Sequence, residues 1–364
     1  MWTRRRDIRA TAVCVFALAV AASIGAVRAS GALPARLTDQ EFWSLVGDLS
    51  EPGGSFRSEN LLSNELRLQY VIPDLIRTIP RGRVYLGVGP EQNFTYIAAV
   101  QPSMAFVIDI RRGNLQLQLM YKALFELSAD RVEFVSRLFS RKMPDGLPAS
   151  ASAREIFEAL AMADPSDALY DRNLKAIEMQ LSSRHGFALT TDDVAGIEHV
   201  FRAFYMFGPS INYSSSDGDP ASSVTGNYRP TYADLMTATD SENHARSYLA
   251  TEEAFAFVKT LEAKNLVVPV VGDFSGPKAL RAVAAYLHAH AAVVSAFYVS
   301  NVEQYLRVER VWGSFCGNAA RLPIDDASTF IRAGRGGRYS RGGTALTHEL
   351  TPMAADLDGC DRRP

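Results

Sequence analysis

Two short apolar runs, Val84-Tyr85-Leu86-Gly87-Val88 and Ala105-Phe106-Val107-Ile108-Asp109-Ile110, constrain the fold more than anything else in the chain. Runs without polar alternation suit strands buried on both faces, and such burial belongs to parallel sheets covered by helices. Only Gly89-Pro90 and a helical stretch from Phe94 to Ala99 separate them, which is the spacing of a βαβ unit. The same order returns later. A helix with the acidic first turn Thr251-Glu252-Glu253 runs to about Lys264, and a strand from Leu266 to Val271 ends in Gly272-Asp273-Phe274. Ser275-Gly276-Pro277 then opens a helix carrying Leu280, Val283, Ala284 and Leu287 on one face. A strand from Val293 to Val299 follows, closing in Ser300-Asn301-Val302-Glu303. The expected fold class is α/β, a mostly parallel sheet flanked by helices. With 364 residues, 47% of them hydrophobic, the chain can bury such a core unaided.

Other segments decorate this sheet. Helical spacing between Leu37 and Ile79 predicts helices that cap a sheet edge. Amphipathic helices are expected at Leu115–Leu127 and Arg131–Phe139, then a largely helical insertion over about 142–250, broken by Pro, Gly and Ser clusters and placed to cover a binding site. Tyr232, Asp240 and Tyr248, near its end, are placed either to line that site or to serve the structure, and the structural role is the simpler reading. From 332 to 364 the Gly/Arg composition reads as a flexible tail, leaving 30–331 as the folded domain.

The first 29 residues read as an address. Arg4, Arg5, Arg6 and Arg9 precede an uncharged run from Ala10 to Val27, and Val27-Arg28-Ala29 fits cleavage after Ala29 or, uncleaved, an N-terminal anchor. The adjacent arginines suit a twin-arginine signal, and a general secretory signal fits equally. The expected location is the periplasm or the outer side of the inner membrane, with membrane contact through this segment alone. Cys14 lies within it, so Cys316 and Cys360 form an even pair that an oxidising compartment can close or leave as two thiols. A net charge of -2 provides no general field for nucleic acid.

Open parallel sheets bind ligands beyond the carboxyl ends of their strands. Gly87 and Gly89 stand at the first such end, where glycine lets the backbone turn and approach a ligand. Asp109, at the second, is placed to accept hydrogen bonds from a ribose diol. Asp273 stands at the third, and Asn301 and Glu303 at the fourth, facing any transferred group.

The run Val84 to Pro90, followed by Asp109 and by Val271-Gly272-Asp273, resembles the first motifs of class I S-adenosylmethionine-dependent methyltransferases, whose fold is Rossmann-like. That resemblance implies Gly87 and Gly89 beneath the methionine part of the cofactor, Asp109 on the ribose, Asp273 by the adenine and Asn301 at the fourth-strand catalytic position. Glu91 occupies the place of a further family glycine, putting negative charge where the cofactor's carboxylate is expected. With Gly-Pro-Glu-Gln-Asn at 89–93 and Gly-Asp-Phe-Ser-Gly-Pro at 272–277, the whole chain resembles a bacterial family of exported proteins with no assigned function.

Three functions follow. The first is a methyltransferase-like exported protein that binds a small nucleotide-like ligand, with S-adenosylmethionine as the cofactor if it is an enzyme. The second is a non-catalytic envelope binding or scaffold module on a repurposed fold, which agrees better with export away from the cytoplasmic methyl donor. The third is an NAD-type dinucleotide enzyme, although Gln92 stands where that fingerprint wants a third glycine. The side chains of His288 and His290 diverge on a helix, which argues against a zinc pair.

Overall fold

The computed structural model describes residues 31–143, 146–148, 150–213, 215, 229–334 and 347–360. The expected export segment lies outside them. No helix among the described residues is long and apolar enough to cross a membrane.

Six strands make one sheet: β1 (Val84–Gly87), β2 (Met104–Asp109), β3 (Val267–Val271), β4 (Val294–Ser300), β5 (Thr329–Gly334) and β6 (Thr347–Pro352). Their order is β3-β2-β1-β4-β5-β6; the first five run parallel and β6 is antiparallel to β5. Every residue of β1, β2 and β3 is buried, as expected for strands covered on both faces. The fold class is therefore α/β with a mostly parallel sheet between helices, an arrangement compatible with a Rossmann-like fold.

Helix α1 (Asp39–Leu49) starts at a capping box between Thr38 and Glu41. It lies along the β3 edge, where Glu51 N donates to Val271 O at 2.8 Å and so covers backbone that would otherwise be open. Helices α2 (Ile72–Thr78), α3 (Gln92–Val100), α4 (Arg112–Leu127) and α5 (Arg131–Phe139) follow. The insertion is helical as expected: α6 (Ala153–Ala161), α7 (Asp167–Glu178), α8 (Thr191–Phe207) and α9 (Tyr232–Thr237), with a π turn at Met179–Arg184. It packs outside α4 and α5. Tyr232 sits among Phe139, Phe157 and Phe204, its hydroxyl hydrogen-bonded to that of Tyr248. Asp240 closes a turn, accepting from Glu242 N and His244 N and pairing with Arg246, so all three residues are structural. Helices α10 (Glu252–Ala263), α11 (Ala279–Ala289), α12 (Val302–Val308), α13 (Trp312–Ala319) and α14 (Met353–Asp356) complete the two layers.

The expected tail is corrected. Residues 332–334 finish β5, and 347–360 supply β6, α14 and a disulfide anchor. The Gly/Arg run 334–338 dominates the composition there and hides two partly buried strands with no regular in–out alternation. Residues 335–346 lie outside the described residues.

Cys316 and Cys360 are joined, with Cα atoms 5.2 Å apart and a sequence separation of 44. Closing a loop of that length restricts the unfolded chain by about 4 kcal/mol in the loop-entropy model. Cys360→Ser is accordingly expected to lower the urea midpoint of the oxidised protein and leave that of the reduced protein nearly unchanged. An equal loss under both conditions would show that the side chain's packing matters and the crosslink does not.

Candidate functional site

Strand order reverses between β1 and β4, so the loops that follow these two strands diverge and leave the crevice where open sheets take ligands. In this protein the crevice is filled from within. A Cβ on Gly87 would run into Asn93 Oδ1 and the Tyr85 ring, so glycine is needed there to admit the chain's own side chains. Tyr85 OH donates to Asn93 Oδ1 at 2.9 Å, and Asn93 Nδ2 reaches Val88 O, Gly89 O and Pro90 O at 3.1, 3.1 and 2.8 Å. Gly89 turns this loop with φ +79°, a conformation that side chains disfavour.

Glu91, fully buried at the cap of α3, accepts from Ser63 N at 3.2 and 3.3 Å. Burial pushes its pKa up to about 8; the backbone hydrogen bonds oppose this and the charge of Glu65 adds to it. Glu65 is a residue that sequence reasoning missed. It is 2% exposed, and its carboxylate accepts from Tyr298 OH at 2.5 Å, Ser300 Oγ at 2.5 Å and His348 Nε2 at 2.7 Å. Burial acts to raise its pKa, but the His348 charge and these three hydrogen bonds outweigh it and hold the carboxyl below its ordinary range. The segment that carries Ser63 and Glu65 is thus fastened across the crevice at two points. One signal was available: Glu65 follows Leu61 by four, in phase with the apolar stripe, where a carboxylate needs a partner.

The other strand ends are also committed. Asp109 accepts from Arg111 Nε at 3.0 Å, Nη2 at 2.9 Å and backbone N at 2.9 Å, a bidentate pair that occupies the carboxylate expected to face a ribose. Asp273 caps the turn into α11, accepting from Ser275 N and Oγ at 2.8 and 2.9 Å. Asn301 precedes α12 and is half-buried, while Glu303 is held by Arg332, Nε to Oε2 at 2.5 Å. The structure therefore places all seven expected residues at the carboxyl edge but does not gather their polar groups around one point.

An open cleft lies further along that edge, beyond β2. It holds about 290 Å³ and is walled by Phe56, Arg57 and Glu59 from the fastened segment, Arg111 and Gly113 at the start of α4, and His199 on α8. The wall from α8 is set by Asp193, which caps its own helix through Thr190 and receives the Arg112 fork at 2.7 and 2.7 Å. Burial opposes its charge, yet the Arg112 and Thr190 hydrogen bonds bring its pKa down to about 2. The insertion thus does border a cleft, as a side wall.

Asp240, Glu242 and His244 offer ligand atoms within 4.8 Å of one another, but Asp240 is already saturated by the turn and by Arg246.

Sheet order, the internally filled crevice and the lateral cleft define an α/β protein compatible with a Rossmann-like fold. The chain belongs to the family described as a domain of unknown function, DUF7790, which matches residues 61–193 and 223–353, so Glu65, Glu91 and His348 all fall within the match. No curated protein matches the chain.

Proposed function

We propose that this protein binds a small nucleotide-like ligand in the cleft beyond β2, as a methyltransferase-like fold put to use as an envelope binding module without methyl transfer. The carrying observation is the contrast between the two parts of the carboxyl edge. The cleft is open, whereas the place beneath Gly87, where the resemblance puts the methionine part of S-adenosylmethionine, is occupied by Asn93 and Tyr85. Asp109 is turned to Arg111 and Glu91 adds a carboxyl group beside that place, so these residues do not fit the methyl donor. The missing third glycine and the size of the cleft speak equally against a dinucleotide. At about 290 Å³ the cleft falls just under the range of ligand sites, roughly 300–1,000 Å³, which suits only a small ligand. The disulfide and the arginine-led N-terminus agree with an exported protein.

The test is calorimetric titration of the full chain with S-adenosylmethionine, its demethylated product, NAD, adenosine and AMP. Adenosine or AMP is expected to bind, with no heat from the methyl donor at millimolar concentration. Silence from the whole panel would remove the reading. Saturable binding of S-adenosylmethionine with methyl transfer to any acceptor would restore the enzyme.

A further inference from the structure

We infer that the ligand of the cleft is a nucleoside phosphate, its phosphate taken by Arg57 and Arg111; this rests on the reading that the cleft is the ligand site. In open sheets the acid at the end of the second strand reads a ribose diol, and here Arg111 covers that acid. Arg111 itself lines the cleft. Its Nε and Nη2 are spent on Asp109, while Nη1 has no partner among the described residues. A guanidinium presented in this way selects an anionic oxygen over a neutral hydroxyl.

Arg57 supplies the second cation. Its Nη2 donates to Tyr305 OH at 2.8 Å and its guanidinium lies 5.4 Å from the Tyr305 ring centroid, so the side chain is oriented without being neutralised. Among the described residues it has no carboxylate partner. Glu59, the carboxylate in the wall, is engaged by His199 at 3.0 Å. Gly113, in the first turn of the sixteen-residue α4, borders the same space with nothing within 4 Å of where a side chain would stand. The positive end of that helix's dipole adds a favourable field to the two arginines. Phe56, edge-on to Tyr305 at a centroid distance of 5.2 Å, gives the cleft an aromatic wall against which a base can lie. Cations beside an aromatic wall in a space of this size suit a mononucleotide.

The full chain is titrated with AMP, adenosine and inorganic phosphate, alongside Arg57→Gln, an exposed position whose change leaves the core untouched. AMP is expected to bind at least about tenfold more tightly than either fragment, and Arg57→Gln to weaken AMP about tenfold while leaving adenosine unchanged. Adenosine binding as tightly as AMP would overturn the phosphate inference and leave the nucleotide-like ligand standing. Phosphate alone matching AMP would overturn the nucleoside part, and no binding by any of the three would remove both readings.

Discussion

Replacing Glu65 by Ala is expected to destabilise the protein by about 3–5 kcal/mol, the usual cost of removing one member of a buried ion pair. The carboxylate is the common acceptor for Tyr298 from the buried face of β4, Ser300 at the end of that strand and His348 on β6. Without it, the fully buried His348 side chain loses its Nε2 partner, while its Nδ1 already has none among the described residues. Two donors lose their acceptor besides, each at a desolvation cost of about 1–3 kcal/mol before any relaxation. Tyr298→Phe removes one donor and leaves the pair intact, so it should cost about 1 kcal/mol. Urea unfolding at pH 7 orders the two variants. A loss below 1 kcal/mol for Glu65→Ala would mean that water reaches the cluster and that the segment over the crevice is not fastened there.

That cluster also marks the limit of what the sequence makes legible. Strands β1 to β4 could be read because they are continuous apolar runs bounded by Gly, Pro or Asn, a signal that burial on both faces imposes directly. Strands β5 and β6 could not. They are only partly buried, show no regular in–out alternation over their six residues each, and flank a Gly/Arg run that makes the whole segment look like a tail. The site residues split in the same way. Their positions at strand ends follow from topology, and Gly87, Gly89, Glu91, Asp109, Asp273, Asn301 and Glu303 do lie on the carboxyl edge. Their partners follow from side chains distant in sequence. Arg332 lies 29 residues from Glu303, and Ser63 lies 28 residues from Glu91. Arg111 lies only two residues from Asp109, yet nothing in the motif indicates that the arginine turns back onto the acid. A strand-end motif thus specifies where a ligand can lie, while the side chains that enter the crevice decide whether it does.

Glu91→Gln should make the protein more stable than the parent at neutral pH, by roughly 3 kcal/mol at pH 7, while leaving the two about equal near pH 4.5. The sign follows from the direction of the shift. Glu91 has its pKa raised from 4.5 to about 8 in the fold, chiefly by burial, so the folded state keeps a proton that the unfolded chain releases. Stability from such a group is complete below the unfolded value and is lost as pH rises toward the folded one, at about 1.4 kcal/mol per pH unit. Glu262, buried and likewise raised to about 8, adds a loss in the same window. In the opposite direction, Glu126 and Asp193 are held at about 2. Burial resists this, but hydrogen bonds from His185 and Lys122 to Glu126, and from Arg112 and Thr190 to Asp193, prevail. Their contribution is lost as pH falls from about 4.5 to 2. The two sets together place the stability maximum between about pH 4 and 5, with the decline toward pH 8 set by the two neutral carboxyls. Glutamine keeps the oxygen that accepts from Ser63 N and removes the group that must ionise, so the variant's alkaline decline should be shallower by the share of one carboxyl. Urea midpoints measured from pH 4 to 9 decide the matter. A parent curve that stays flat from pH 5 to 8 would mean that Glu91 is ionised in the fold, and the fastening of Ser63 would then be a charged hydrogen bond in place of a neutral one.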